Sequence, residues 1–274
     1  MDIIEIRTYL AKKKLDFDPS YFEYINENKR LAVEAGDEAL ANELWCLNKV
    51  ASVQAKFISM YAHLKSKEKY GTAWNLLENI DITLSALRPH FDCGNDDYSL
   101  FFIGNIIHEY EKLFPYFIFI SREGLIKKEA CSICEDIISL RNPCGHKVGN
   151  LYMGEMCYRI VKDYEFLGAA LVSNPFNKYS VLTPENKEYN YFMLDHLMEQ
   201  VNSPYDRFYV EIFKIKDSLF ETAERNKPCP CESGGKYKKC CLGTERELIN
   251  HHRITFLDAV DVKPSPIFRG NTWK

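Results

Sequence analysis

Four cysteines crowd into the thirteen residues from Cys229 to Cys241, as two pairs: Cys229 with Cys231, and Cys240 with Cys241. Thiols at that spacing point to zinc chemistry. Zn²⁺ takes four soft donors in a tetrahedron, with sulfur at about 2.3 Å. Gly234-Gly235 can turn the chain between the pairs, and Pro228 and Pro230 stiffen the first pair, so less entropy is lost on binding. The competing reading is four free or redox thiols, and a doubled pair favours metal over it.

A second cluster lies upstream: Cys131-Ser-Ile-Cys134, then Cys144-Gly-His146, then Cys157. Cys131 and Cys134 form the knuckle by which one short loop presents two sulfurs to one metal. Cys144 is the third donor, and His146 and Cys157 compete for the fourth place. His146 is preferred because it stands two residues from Cys144. Cys157 sits in Gly154–Val161, which reads as a helix. It is either a ligand at that helix start or a small buried apolar side chain. Cys46 and Cys93 stand alone and read as core residues. Two structural zinc ions per chain are therefore expected.

The segment Cys229-Pro-Cys-Glu-Ser-Gly-Gly-Lys-Tyr-Lys-Lys-Cys-Cys-Leu-Gly243 closely resembles the SEC-C motif, the zinc-binding module of the SecA C-terminal tail. Cys229, Pro230, Cys231, Ser233, Gly234, Lys236, Tyr237, Lys238, Cys240 and Cys241 all match it. Leu242, inserted before Gly243, departs from it. The resemblance implies that Cys229, Cys231, Cys240 and Cys241 bind zinc, and that the module docks a protein or a ribosome-like partner. It covers about 20 residues and identifies a module, not an activity. Arg225 to Cys241 is formally +4, and four thiolates with Zn²⁺ leave about +2. Lys236, Tyr237, Lys238 and Lys239 are the expected partner-binding residues. The lysines could equally serve to offset the anionic zinc centre.

The upstream pattern, from C-S-I-C through C-G-H to the Gly-Glu-Met-Cys at Cys157, resembles a small Cys/His module of bacterial and prophage proteins. That resemblance runs from about Glu129 to Val181, includes Val172-Ser173-Asn174-Pro175, and implies metal binding without an established activity.

The elements that must carry these donors follow from periodicity. Apolar residues return every three or four positions in about 21–35, 37–61, 72–87 and 97–114. Gly36 suits the end of the first helix and Asp37 the cap of the second, while Arg88-Pro89 stops the third. Glu68 to Leu77 resembles a tetratricopeptide turn and helix. No second copy recurs at a fixed period, so it reads as an ordinary helical hairpin. Tyr116–Ser121 reads as a short strand, Tyr189–Val201 and Tyr205–Arg225 as helices, Ile254–Val262 as a strand, and the stretch with Pro264 and Pro266 as a surface tail.

The expected fold is mainly α (α+β overall): an N-terminal antiparallel helical array, then two small zinc-binding modules with short strands. The expected divisions are a helical domain 1–120, a central module 121–185, a helical connector 186–226, the SEC-C module 227–243 and an extension 244–274.

Composition bounds the function. The 274 residues are 46% hydrophobic and 27% charged, with a formal net charge of -4, which argues against wholesale binding to nucleic acid or anionic membrane. The helical half is net -5 and suits a protein partner. The first residues lack the apolar core of a signal peptide, so the cytoplasm is the expected compartment and disulfides are not expected there. No apolar run is long enough for membrane insertion. There is no H-E-x-x-H, P-loop, G-x-G-x-x-G or G-x-S-x-G, and His251-His252 point apart. The reading is a zinc-binding, non-enzymatic adaptor. The alternatives are a nucleic-acid-binding zinc protein, and an enzyme whose catalytic residues lie in the helical half.

Overall fold

The computed structural model describes residues 2–139, 141, 143–258, 263–266 and 273. It divides into two compact units, Met1–His108 with Tyr116–Pro184, and Glu109–Pro115 with Glu185–Lys274. Helix outweighs strand, and the expected fold class holds: helices dominate the N-terminal half, and short antiparallel strands follow.

The first unit opens with four helices: α1 (Ile3–Leu10), α2 (Ser20–Glu34), α3 (Glu38–Lys65) and α4 (Tyr70–Leu87). Gly36, at φ 71°, adopts the left-handed conformation that ends α2. Asp37 then caps α3 by accepting the Leu40 N–H at 3.0 Å. The 28-residue α3 buries Leu44, Leu47, Val50, Phe57, Met60 and Leu64 against its neighbours. α5 (Leu100–Glu111) follows within the expected span.

One buried polar side chain ties these helices together. Gln54 Nε2 donates to the carbonyls of Leu10 and Tyr98, at 2.8 and 2.9 Å, and Gln54 Oε1 accepts from Lys14 Nζ at 2.8 Å. The Lys14 ammonium also lies 4.5 Å from the Tyr9 ring centroid. Burial pulls the Lys14 pKa from its ordinary 10.5 down to about 8. Between those values the unfolded chain holds the extra proton, so stability rises with pH across that window. In urea titrations wild type should gain on Lys14→Met as pH climbs from 8 toward 10, and parallel curves would refute the assignment.

β1 (Phe119–Cys131) and β4 (Arg159–Val172) form a long antiparallel arm. β1 runs well past the short strand expected at Tyr116–Ser121. Tyr164 lies across Gly124, where an added Cβ would stand 2.0 Å from its hydroxyl oxygen. A side chain at Gly124 would make the exposed Tyr164 ring shift. Ile126 opposite Tyr164, Phe166 opposite Gly124, and Leu171 opposite Ile120 all remain exposed.

Gly154–Val161 corrects the sequence expectation of a helix. β2 (Leu151–Tyr152) and β3 (Glu155–Met156) form a tight hairpin, and β4 begins at Arg159. Met153 and Gly154 both have positive φ, 47° and 75°, the two-residue turn whose twist matches antiparallel strands.

In the second unit, α6 (Phe192–Gln200) lies within the expected helix. Tyr205–Arg225 does not form one. Phe208–Lys216 is β5, paired along its length with β6 (Leu248–Phe256). Buried Phe208 and Val210 alternate with exposed Tyr209 and Glu211, the period of a strand. The strand expected at Ile254–Val262 lies earlier, and residues 259–262 fall outside the described residues. The expected tail reaches β6 through Ser265, whose Oγ accepts the Ile254 N–H at 2.7 Å. No helix among the described residues is long and apolar enough to cross a membrane.

Candidate metal centres

In the second unit, Cys229, Cys231, Cys240 and Cys241 bring their sulfurs mutually within 4.8 Å. Backbone ties set this geometry. The Cys229 N–H donates to Gly235 O at 2.8 Å, and the Tyr237 N–H to Lys227 O at 2.9 Å, folding the first pair back on the second. Glu232 and Gly234 turn the intervening loop at φ 61° and 77°. The residues Tyr237–Lys239 form one 3₁₀ turn, which delivers Cys240 and Cys241 to the centre.

The sulfur spacings suit zinc. Sulfurs held at about 2.3 Å by a tetrahedral ion stand about 3.8 Å apart. Cys240 and Cys241 Sγ are 3.7 Å apart, and Cys231 and Cys240 Sγ 3.4 Å. Chiefly the Ser233 hydroxyl, and then the neighbouring thiols, draw the Cys231 pKa down to about 6. Burial first, then the adjacent thiols, pushes Cys241 up to about 12. Metal binding requires all four as thiolates, so acid releases the ion.

Tyr237, expected to face a partner, is instead 2% exposed. Its ring stacks on Phe220, and the two pack with Cys229 and Cys241 as a small core. The physical reason is local: the turn that aims Cys240 and Cys241 at one point turns the Tyr237 ring inward beneath them. Lys236, Lys238 and Lys239 are exposed, as are Arg225 and Lys227.

In the first unit, the ligand atoms of Cys131, Cys134, Cys144 and His146 lie mutually within 4.8 Å. Cys131 ends β1. The Ile133 N–H donates to its sulfur at 3.4 Å, and the Glu135 N–H to its carbonyl at 2.9 Å. Burial raises the Cys131 pKa, but the amides of Cys134 and Ile133 and the nearby thiols outweigh it and bring it to about 6. Gly145, at φ 84°, bends the chain between Cys144 and His146. His146 Nδ1 is buried without a hydrogen-bond partner. An orphaned imidazole nitrogen among three thiols is the donor set of a three-sulfur, one-nitrogen zinc centre. The Tyr152 ring meets the imidazole edge-on at 4.7 Å.

Cys157 lies outside that mutual set, in the bend between β3 and β4, with its sulfur 3.8 Å from Cys131 Sγ. The β2–β3 hairpin beside it docks on the helices. The Gly154 N–H donates to Asn42 Oδ1 at 2.7 Å, the Met153 N–H to Glu38 Oε1 at 3.3 Å, and Lys29 Nζ to Glu155 Oε1 at 2.6 Å. Sequence reasoning missed Gly154 and its helix contacts. The signal available was the Met-Gly pair between Tyr152 and Glu155, a two-residue turn.

The remaining candidates do not join these centres. Cys46 is buried, 3.8 Å from His90 O, and burial lifts its thiol to about 11. Cys93 is half-buried, and burial raises it too. His251 packs edge-on to Phe213, and burial lowers the His252 pKa. Neighbours on a strand face opposite ways, so they do not act as a ligand pair.

A cleft of about 790 Å³ in the first unit is lined by Asn42, Glu43, Cys46, His90 and Asn150 among others. Among its ionisable groups, Glu43 binds Arg7, and His90 Nε2 lies 2.6 Å from Gly149 O, which also lines the cleft.

A 34-residue stretch is 50% identical to the UPF0225 protein plu2503 of Photorhabdus laumondii subsp. laumondii. The match covers 12% of this chain and 21% of that protein, about a fifth of the relative's length. No solved structure matches the chain. Residues 225–243 match the SEC-C motif family, so the chain carries this zinc-binding motif around Cys229, Cys231, Cys240 and Cys241.

Proposed function

We propose that the chain is a non-enzymatic adaptor folded by two structural zinc ions, acting in the reducing cytoplasm. The observation that carries this reading is the closed set of four sulfurs at Cys229, Cys231, Cys240 and Cys241. Structural zinc sites use four protein ligands, whereas catalytic ones keep a position open. Cys229 and Cys241 also belong to the local core with Phe220 and Tyr237, so ion and fold are one unit. Zinc bound there supplies stability and no chemistry.

Two exposed surfaces support docking. Lys236, Lys238 and Lys239 line the SEC-C module, which suits an acidic protein or a ribosome-like partner. The arm's exposed Ile126, Phe166 and Leu171 favour protein over nucleic acid, because a concentration of large exposed apolar side chains marks protein contacts. Elemental analysis of purified chain should find two zinc ions, and well under one would end the reading. Sedimentation with ribosomes at low salt should carry the chain down, and the Lys236→Glu, Lys238→Glu, Lys239→Glu triple variant should stay in the supernatant. If wild type also stays behind while zinc is present, the zinc assignment stands and ribosome docking is lost.

A further inference from the structure

The central cluster offers five donors to a centre that needs four. Cys131, Cys134, Cys144 and His146 lie mutually within 4.8 Å. Cys157 is the fifth, and its Sγ stands 3.8 Å from Cys131 Sγ. That is the edge of a tetrahedron whose sulfurs lie about 2.3 Å from the ion. Cys157 is 0% exposed, so its thiol is withheld from solvent and from outside reagents.

Its backbone is tied to both halves of the cluster. The Cys157 N–H donates to Asn150 O at 2.9 Å, and its carbonyl accepts the Gly149 N–H at 2.8 Å. Those bonds join it to the loop that follows His146. Its neighbour Tyr158 accepts the Ser132 N–H at 3.1 Å and donates its own N–H to Ser132 Oγ at 2.9 Å. Those bonds join it to the knuckle that holds Cys131 and Cys134. The side chain is thus fixed on both sides, one tetrahedral edge from Cys131 and just outside the mutual set of four.

Charge points the same way. Arg159 Nη1 is buried without a hydrogen-bond partner, two residues along from Cys157. Buried charges are normally paired. A fourth thiolate in place of a neutral imidazole makes the centre more anionic by one charge, which a neighbouring guanidinium offsets.

We propose that Cys157 is a reserve ligand of the central centre. Cys131, Cys134, Cys144 and His146 hold the ion, and Cys157 takes the place of His146 when that imidazole is withdrawn. With an ion bound, the exchange would need the Cys157 thiol to give its proton to water as its sulfur replaced His146, which would leave as a neutral imidazole. This rests on the reading that the central cluster holds an ion.

Cadmium-113 NMR of the full chain tests both, because four-sulfur sites resonate downfield of three-sulfur, one-nitrogen sites. Wild type should show one resonance of each kind. In His146→Ala the three-sulfur, one-nitrogen resonance should move to the four-sulfur region, with two cadmium ions still bound. Zinc affinity, by chelator competition, should fall no more than about tenfold, within the cost of a rearranged ligand surround. Cys157→Ser should leave the wild-type spectrum unchanged, and the double variant should lose one resonance and one ion. Loss of the central resonance in His146→Ala alone would overturn the reserve role. Two four-sulfur resonances in wild type would overturn it too, since Cys157 would then be the resident ligand. A single wild-type resonance would remove the central centre itself. Far-ultraviolet circular dichroism checks that each variant keeps its helices, and His146→Ala decides the matter even if the double variant unfolds.

Discussion

Replacing Cys241 by serine should release one zinc ion and unfold the SEC-C module, the largest effect expected of any single change in the second unit. Cys241 is 0% exposed and is both a candidate sulfur donor and a core side chain. Around it the module's own apolar core is small: Phe220 and Tyr237, with the partly buried Ala223 and Cys240 packed against them. So little buried surface does not offset the entropy of ordering the loop. Structural zinc in small modules contributes about 10–16 kcal/mol of apparent binding free energy. Without it the backbone bonds from Cys229 to Gly235 and from Tyr237 to Lys227 lose their anchor. Hydrogen exchange should show the amides of residues 227–242 becoming unprotected while those of α3 stay slow. Retained protection in 227–242 after verified loss of the ion would refute zinc as the fold's support.

Gly154→Val should lift the β2–β3 hairpin from α2 and α3. Gly154 has φ 75°, and a Cβ there would stand 2.9 Å from the Ala41 carbonyl oxygen and 3.0 Å from Lys29 Cδ. The left-handed conformation alone costs an L-residue about 1–2 kcal/mol. The Lys29 stem can swing aside, but the Ala41 carbonyl belongs to helical backbone and cannot. A total destabilisation of about 2–4 kcal/mol follows, with Gly154→Ala milder because alanine is not β-branched. The same change should weaken the central centre, since Asn150, just before the hairpin, belongs to the loop after His146 and donates its N–H to Lys147 O at 3.1 Å. Urea denaturation measures the first effect and chelator competition the second. A valine variant within about 0.5 kcal/mol of wild type would mean that the docking contributes little.

The helices were legible because their signal is local. Gly36 and Asp37 mark the boundary of α2 and α3 by backbone conformation and a single side-chain bond, and both lie within a few residues of what they control. The candidate metal donors were legible for the same reason: Cys229 with Cys231, Cys131 with Cys134 and Cys144 with His146 are neighbours in the chain. β5 reads as helix in sequence because Phe213 interrupts the alternation and a short apolar run suits both periods. Its partner β6 begins 32 residues after β5 ends, and no window of sequence contains both.

By itself the sequence determined the candidate donors, with His146 and Cys157 both in contention, the fold class and the identity of the SEC-C module, because each is written in residue type and short spacing. Only the tertiary structure decided that Tyr237 is core and not surface, that Cys157 lies in a strand bend beside Cys131, and that Gly154 seats a hairpin on the helices. Those outcomes depend on which distant backbone segments pair. That pairing is set by packing and loop closure over the whole unit, and residue spacing carries no record of it.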